Sequence, residues 1–237
     1  MGNAERFIEE FNKLDHYFEY LLDGAKVSFI EKKNILANDK RVKYVIRRYD
    51  DDLEVINRLR NVVTHENYRD GKPLADPRED IIDRLSEIFE GLTRPMTVYD
   101  RKSPTLPAVF NSRDSLNKAL RHMLQNDFSQ VVVEKDGRYF FLRREDTARW
   151  LERHAEGAIP PAGSVSVDEL VPASCKQKCY ISKDATVYEA LAYFQQYDEG
   201  YPALMITETG KDYERPLGIL TPMDLIDFVS ITGPSEY

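Results

Sequence analysis

Apolar residues recur at helical spacing through the first part of the chain. Over 4–22, Phe7, Phe11, Leu14, Phe18 and Leu21 fall every three or four positions, which predicts a long amphipathic helix ended by Gly24. A shorter helix is expected over 28–37, with Ser28 as its cap. Asn38-Asp39 opens a ladder of Val42, Val45, Tyr49, Leu53, Ile56, Leu59 and Val63. It is one long helix or two collinear ones, and Asp50-Asp51-Asp52 marks the place for a break, because Asp favours a cap over a helix interior. A further helix starts near Pro77, with Asp76 as cap, Ile81, Leu85 and Ile88 facing inward, and Gly91 closing it.

Beyond residue 91 the pattern changes to short apolar runs alternating with short helices. The stretch 217–228, LGILTPMDLIDF, reads as a strand, a tight turn and a helix with Asp224 one turn in. An echo stands at 140–151, FFLRREDTARWL, with Asp146 in the place of Asp224 and Arg143 in that of Thr221. The repeat extends upstream, where 114–120 matches 184–191. Each copy reads helix, strand, turn, strand, helix. The first turn is Lys135-Asp136-Gly137, a hairpin signal, and the second is the longer polar loop 208–216. In the first copy Leu116, Leu120 and Leu124 are expected to face inward, with Ala119 and Met123 beside them. His122 is expected at the boundary of that stripe. Met96-Thr97-Val98-Tyr99 is expected as a strand belonging to the first copy, and 159–163 as the hinge between copies. One unit of this size has too little core to stand alone, but two bury their sheets against each other.

The carriers Gly218-Ile219-Leu220-Thr221-Pro222-Met223-Asp224 and Tyr201-Pro202-Ala203 resemble the CBS motif, and the two copies together resemble a CBS pair, or Bateman module. The resemblance implies that Asp224 holds the ribose diol of an adenosine ligand, that Thr221 holds phosphate, and that Tyr201 and Pro202 line the same site. In the first copy Arg143 and Asp146 take the corresponding places. Arg143 departs from the expected Thr and still pairs with phosphate, while Phe140 stands where Gly is expected and is bulky enough to fill the cleft.

Composition narrows the partners. The net charge is −8, so a protein coated with nucleic acid is not the default, and any such surface must be local. Cys175 and Cys179 lack the spacing and company of a zinc site, so no metal is expected and the thiols are expected to be reduced. There is no apolar run long enough to span a bilayer, which leads to the expectation of a cytoplasmic protein.

The one sizeable basic cluster spans 32–48. It contains Lys40, Lys43 and Arg47, which are either a solvated helix face or a phosphate-contact surface. At the end of the long ladder stands Arg60-Asn61, followed by His65. Asn61 and His65 are four apart and share a helix face. Arg60-Asn61…His65 in an all-helical segment resembles the signature of the HEPN family, small helical bundles that are often metal-independent endoribonucleases. Gly71-Lys72-Pro73-Leu74-Ala75 matches a turn found when such bundles accompany CBS motifs. The resemblance implies that Arg60 holds phosphate, His65 moves protons, Asn61 positions one or the other, and two protomers share the cleft. The residues alone equally admit Arg60 and His65 as stabilising groups at a helix end.

The expected fold class is therefore α+β. It comprises an all-α HEPN-like bundle over 1–91, then CBS motifs over 92–158 and 164–231 related by a pseudo-two-fold axis. The function this implies is a homodimeric, ligand-sensing regulator. A nucleotide such as AMP, ADP or ATP, not a required cofactor, would control RNA cleavage by the helical domain. The alternative is a non-catalytic dimeric scaffold whose helical domain binds a protein or nucleic acid.

Overall fold

The computed structural model describes residues 2–65, 74–101, 105–157, 159–170, 179–195 and 203–226, with His65 described in its backbone only. The chain divides into two compact units, Met1–Met96 and Thr97–Tyr237. The first is helical and the second mixes helices with two small sheets, so the fold class is α+β.

Unit 1 contains α1 (Asn3–Leu21), α2 (Phe29–Leu36), α3 (Lys43–Arg48), α4 (Asp50–His65) and α5 (Glu79–Thr93). The stripe of α1 is core: Phe7, Leu14 and Phe18 are fully buried. Phe29 of α2 packs on Phe11 and Phe18, at 4.7 and 5.2 Å between ring centroids. Ser28 caps α2 by accepting from the Glu31 N–H, as its residue type predicts. The ladder breaks at Tyr49, between α3 and α4, and Asp50, Asp51 and Asp52 fill the first turn of α4, where the helix dipole favours negative charge. Asp50 and Glu54 also close on the ammonium of Lys33, at 2.7 and 3.0 Å. Burial opposes the charge on Lys33, but the two carboxylates outweigh it and raise its pKa.

Two expectations for α5 need correction. The helix begins at Glu79 with Arg78 as its cap, and Pro77 lies outside it. Ile82, not Ile81, joins Leu85 and Ile88 in the core, and Gly91 is buried inside a helix that continues to Thr93. A glycine without a side chain can close-pack here as readily as end a helix.

Unit 2 opens with α6 (Val98–Arg101) and then builds two sheets of one topology. In the first, β1 (Val109–Asn111) runs parallel to β2 (Gln130–Lys135), which pairs antiparallel with β3 (Arg138–Arg143). In the second, β4 (Tyr180–Ser182), β5 (Leu204–Thr207) and β6 (Gly218–Leu220) repeat that order and those directions. Helix α7 (Leu116–Gln125) crosses from β1 to β2, α8 (Arg144–Arg153) follows β3, and α9 (Val187–Gln195) lies between β4 and β5. The β2–β3 turn is the expected tight hairpin: Asp136 and Gly137 both have positive φ, at 51° and 74°.

The central strands are apolar throughout because both their faces are covered. Val131, Val133 and Leu142 pack on the helical side with Met123 and Trp150. Leu204, Ile206 and Leu220 do the same in the second half. The alternate residues Val132, Phe141, Ala203, Met205 and Cys179 form one cluster between the two sheets. The sheets thus share an interface, and Tyr180 adds a hydrogen bond from its hydroxyl to the Tyr139 carbonyl.

The segments that precede each half are exchanged. Val98 is fully buried in the core of the second half, and its N–H donates to the Ala185 carbonyl at 2.9 Å. Val165, Val167 and Leu170 are buried in the core of the first half, where the Leu116 N–H donates to the Val165 carbonyl at 2.8 Å. Residues 96–99 are therefore not a strand of the first copy, as expected from their position. Thr97 forms a bridge with Thr186 and Val98 starts α6 on the opposite half. In α7, Leu116, Ala119 and Met123 are the buried positions, whereas Leu124 is 71% exposed.

This exchange yields a test. Val167→Ala should cost about 2 kcal/mol of stability in urea denaturation. Although Val167 precedes the second half, hydrogen exchange at the Leu116 amide of the first half should accelerate. Protection lost only around β4–β6 would contradict the packing described.

Candidate functional site

The motif around Thr221 is built by a reciprocal cap. Strand β6 ends at Leu220, Thr221 stays extended, and Pro222 starts a one-turn 3-10 helix over Pro222–Leu225 with its φ already set. The Asp224 carboxylate folds back, and Oδ2 accepts from the Thr221 N–H at 2.7 Å and the Thr221 hydroxyl at 2.8 Å. The Asp224 carbonyl accepts from Arg101 Nε at 3.2 Å. Thr221 and Asp224 are thus brought together, as the repeat predicts.

Thr221 faces a cleft of about 640 Å³, a size suited to a small ligand. Its walls come from both halves of unit 2. The second half supplies Ile219 and Thr221, and the first supplies 105–108, His122 and 127–132. Leu106 and Phe128 are large apolar groups left 63% and 47% exposed, which suits a wall awaiting a flat or apolar partner. Asp127 pairs with Arg144 at 3.2 Å. Asp224 is not itself among the lining residues described; it is bonded to Thr221, which is.

The first copy repeats the cap with different chemistry. Asp146 Oδ2 accepts from the Arg143 N–H at 2.8 Å, and Asp146 is buried. Burial pushes its pKa up, against the pull of the Arg143 N–H and the charges of Arg143 and Arg149. Cys179, just before β4, is buried too; burial raises its thiol pKa while the charge of Arg143 lowers it. Phe140 is half-buried on β3. Tyr201, Pro202 and Cys175 lie outside the described residues.

In unit 1, Arg60 and Asn61 are adjacent near the end of α4. Arg60 Nη1 donates to Asn61 Oδ1 at 3.3 Å, and the guanidinium lies 5.6 Å from the centre of the Phe11 ring. His65 is the last residue of α4. The basic cluster is largely engaged within the fold. Lys32 pairs with Asp15 at 2.8 Å, Lys33 with Asp50 and Glu54, and Arg41 with Asp39 and the Leu21 carbonyl. Arg47 donates to the Ala37 carbonyl at 2.8 Å and to Asn38 Oδ1 at 3.2 Å, closing the end of α2. Lys40 is exposed, and Lys43 lies 4.6 Å from the Tyr44 ring centre. The turn expected at 71–75 falls mostly outside the described residues. Among the described residues, no group of three or more His, Cys, Asp or Glu is placed to hold a metal, and no helix is long and apolar enough to cross a membrane.

The pattern missed 105–108, 127–132 and Ile219 as cleft residues. Pro107 has the residue type of a linker, and the loop after α7 has no periodicity. The usable clue was positional: both segments lead into the strand ends beside which the motif turns.

Residues 167–231 match the family model of the CBS domain. No curated protein sequence matches the chain. Among solved structures, CbpB in complex with c-di-AMP aligns at 16% identity and a TM-score of 0.47, over 63% of this chain and 94% of that one. A CBS domain-containing protein from Kribbella flavida aligns at 16% identity and a TM-score of 0.43, over 57% and 99%. A CBS domain protein from Thermoplasma acidophilum aligns at 19% and 0.43, over 56% and 69%. The family match falls on the second half of unit 2 and the segment that leads into it.

The raised pKa of Asp146 has a signed consequence. A carboxyl that keeps its proton to higher pH when folded contributes stability that is full below the ordinary aspartate pKa and is lost as pH rises through the raised folded value. Asp146→Asn keeps an oxygen for the Arg143 N–H and cannot ionise. The urea midpoint of the parent should therefore fall relative to that of the variant as pH rises just above the ordinary aspartate range. Parallel profiles would contradict this account.

Proposed function

We propose, from a CBS domain paired with a copy of its own topology, that unit 2 is a nucleotide sensor in a cytoplasmic, homodimeric regulator. The observation that carries this is the cleft of about 640 Å³ with Thr221 in its wall and Asp224 bonded to Thr221. In CBS motifs that aspartate holds a ribose diol and the hydroxyl holds phosphate. The chemistry here suits both, since a carboxylate accepts from hydroxyl donors and a hydroxyl can turn from Asp224 to a ligand oxygen. Pro107, Val131 and Ile219 offer an apolar face for an adenine ring. The walls belong to different halves, so an occupant contacts both. It changes their balance by its differential affinity for the arrangements available.

For unit 1 we infer metal-independent RNA cleavage as the output. The support is Arg60 held beside Asn61 on α4, with His65 ending the same helix four residues after Asn61. In that chemistry a 2′-hydroxyl loses its proton to a base and attacks the adjacent phosphorus. The bond to the 5′-oxygen breaks, that oxygen takes a proton, and a cyclic phosphate remains. His65 is the group for proton transfer, and Arg60 for the charge on phosphate. A dimer that binds RNA or protein without cutting it is the competing outcome.

Two measurements decide these readings. AMP, ADP or ATP at a hundredfold excess over Kd should stabilise the protein by about 2.7 kcal/mol, seen as a raised Tm. Asp224→Asn should abolish the rise, and no shift with any adenosine compound would leave unit 2 a scaffold. The purified protein should cleave RNA in EDTA, and Arg60→Ala or His65→Ala should reduce the rate at least about a hundredfold with little change in Tm. RNA left intact, with and without nucleotide, would refute the nuclease.

A further inference from the structure

We infer that His122 reads the base of the nucleotide held in the unit 2 cleft; this rests on the nucleotide reading above and adds to it a residue that chooses the ligand. His122 lines the cleft from the first half, whereas Thr221 lines it from the second. If Thr221 and Asp224 take the sugar and phosphate, the wall supplied by the first half is left for the base. Phe128 stands there with nearly half its surface exposed, available for stacking.

The imidazole packs between two aromatic rings and beside an amide. Phe110 and Phe128 flank it, at 5.3 Å and 62° and at 5.8 Å and 57° between rings. Asn126, one turn along, donates from Nδ2 to the His122 carbonyl at 2.9 Å, which fixes which end of its amide faces the helix. That same nitrogen lies 3.5 Å from His122 Nδ1. An amide nitrogen has only donors to offer, so the tautomer with its proton on Nε2 is the one that gives this contact a hydrogen bond. In that tautomer a residue of the cleft wall carries an N–H donor on an aromatic side chain. The ring nitrogens of a purine are acceptors in the plane of the base. A histidine donor beside a stacking phenyl ring matches that arrangement. A sugar phosphate that lacks a base has no such ring to present to this wall.

The test uses titration calorimetry on the full chain with AMP and with ribose 5-phosphate, which keeps the sugar and phosphate but has no base. His122→Phe preserves a ring and removes the donor. It should weaken AMP about tenfold and leave ribose 5-phosphate unchanged. His122→Gln restores an N–H donor and should recover much of the AMP affinity. Unliganded Tm values show that each variant is folded. Equal losses for AMP and ribose 5-phosphate, or unchanged AMP affinity in His122→Phe, would overturn the role of His122 and leave the nucleotide site standing. Failure of the parent protein to bind AMP at all would overturn both.

Discussion

Unit 2 depends on an exchange. Val98, which precedes the first half, is buried in the core of the second, and Val167, which precedes the second, is buried in the core of the first. Each burial is locked by backbone hydrogen bonds, from Val98 to Ala185 and from Val167 to Asp114, both at 2.9 Å. Neither half has a complete core from its own stretch of chain. The facing sheets add a second constraint, because Val132 and Phe141 have Met205 and Ala203 as their neighbours. The cleft inherits its shape from this arrangement. Ile219 and Thr221 are set by one half, and 127–132 by the other. A change in how the halves meet is thus a change in the cleft.

The duplication was legible because it is written in local terms. Two-faced burial leaves unbroken runs such as Val131-Val132-Val133 and Leu204-Met205-Ile206, and a tight turn leaves Asp136-Gly137. The caps at Asp146 and Asp224 were also visible, since three residues separate each from its partner. The exchange left no such mark. Val98 has the residue type of a strand wherever it packs, and only the tertiary structure says which half receives it. Helix phase was the other loss. Leu124 of α7 sits at a plausible inward position by spacing alone, but the stripe that meets the sheet runs through Leu116, Ala119 and Met123. Of the cleft, the contiguous motif at Thr221 could be read. The walls at 105–108 and 127–132 could not, because they are assembled from distant stretches without distinctive residue types.

Charge was the least legible property. A run of lysines and arginines over 32–48 reads as a surface because sequence counts charges and not their partners. In the fold, Lys33 has 2% of its side chain exposed and lies between Asp50 and Glu54, so it joins α2 to the start of α4. Arg47 satisfies a carbonyl at the end of α2 that the helix itself leaves open. These cations organise the helical unit from within. The same acidic turn that breaks the ladder at Tyr49 provides, through Asp50, a counter-charge for Lys33.

The loop that makes the second half longer than the first is braced by hydrogen bonds of its own. The buried Thr207 hydroxyl accepts from the N–H groups of Gly210 and Lys211, and Glu214 receives the N–H and hydroxyl of Thr209. Glu214 is held as a carboxylate down to about 2, chiefly by the Thr209 hydroxyl. Gly210 has a φ of +82°, and a Cβ there would come within 3.1 Å of the Ser182 nitrogen. A segment that meets its own backbone needs can be added to one member of a duplicated pair without disturbing the symmetry of the sheets. The difference in length between the two copies is thereby confined to an excursion between β5 and β6, whose Asp212 in turn reaches the first half, accepting from the Tyr139 N–H and pairing with Arg138, both at 2.8 Å.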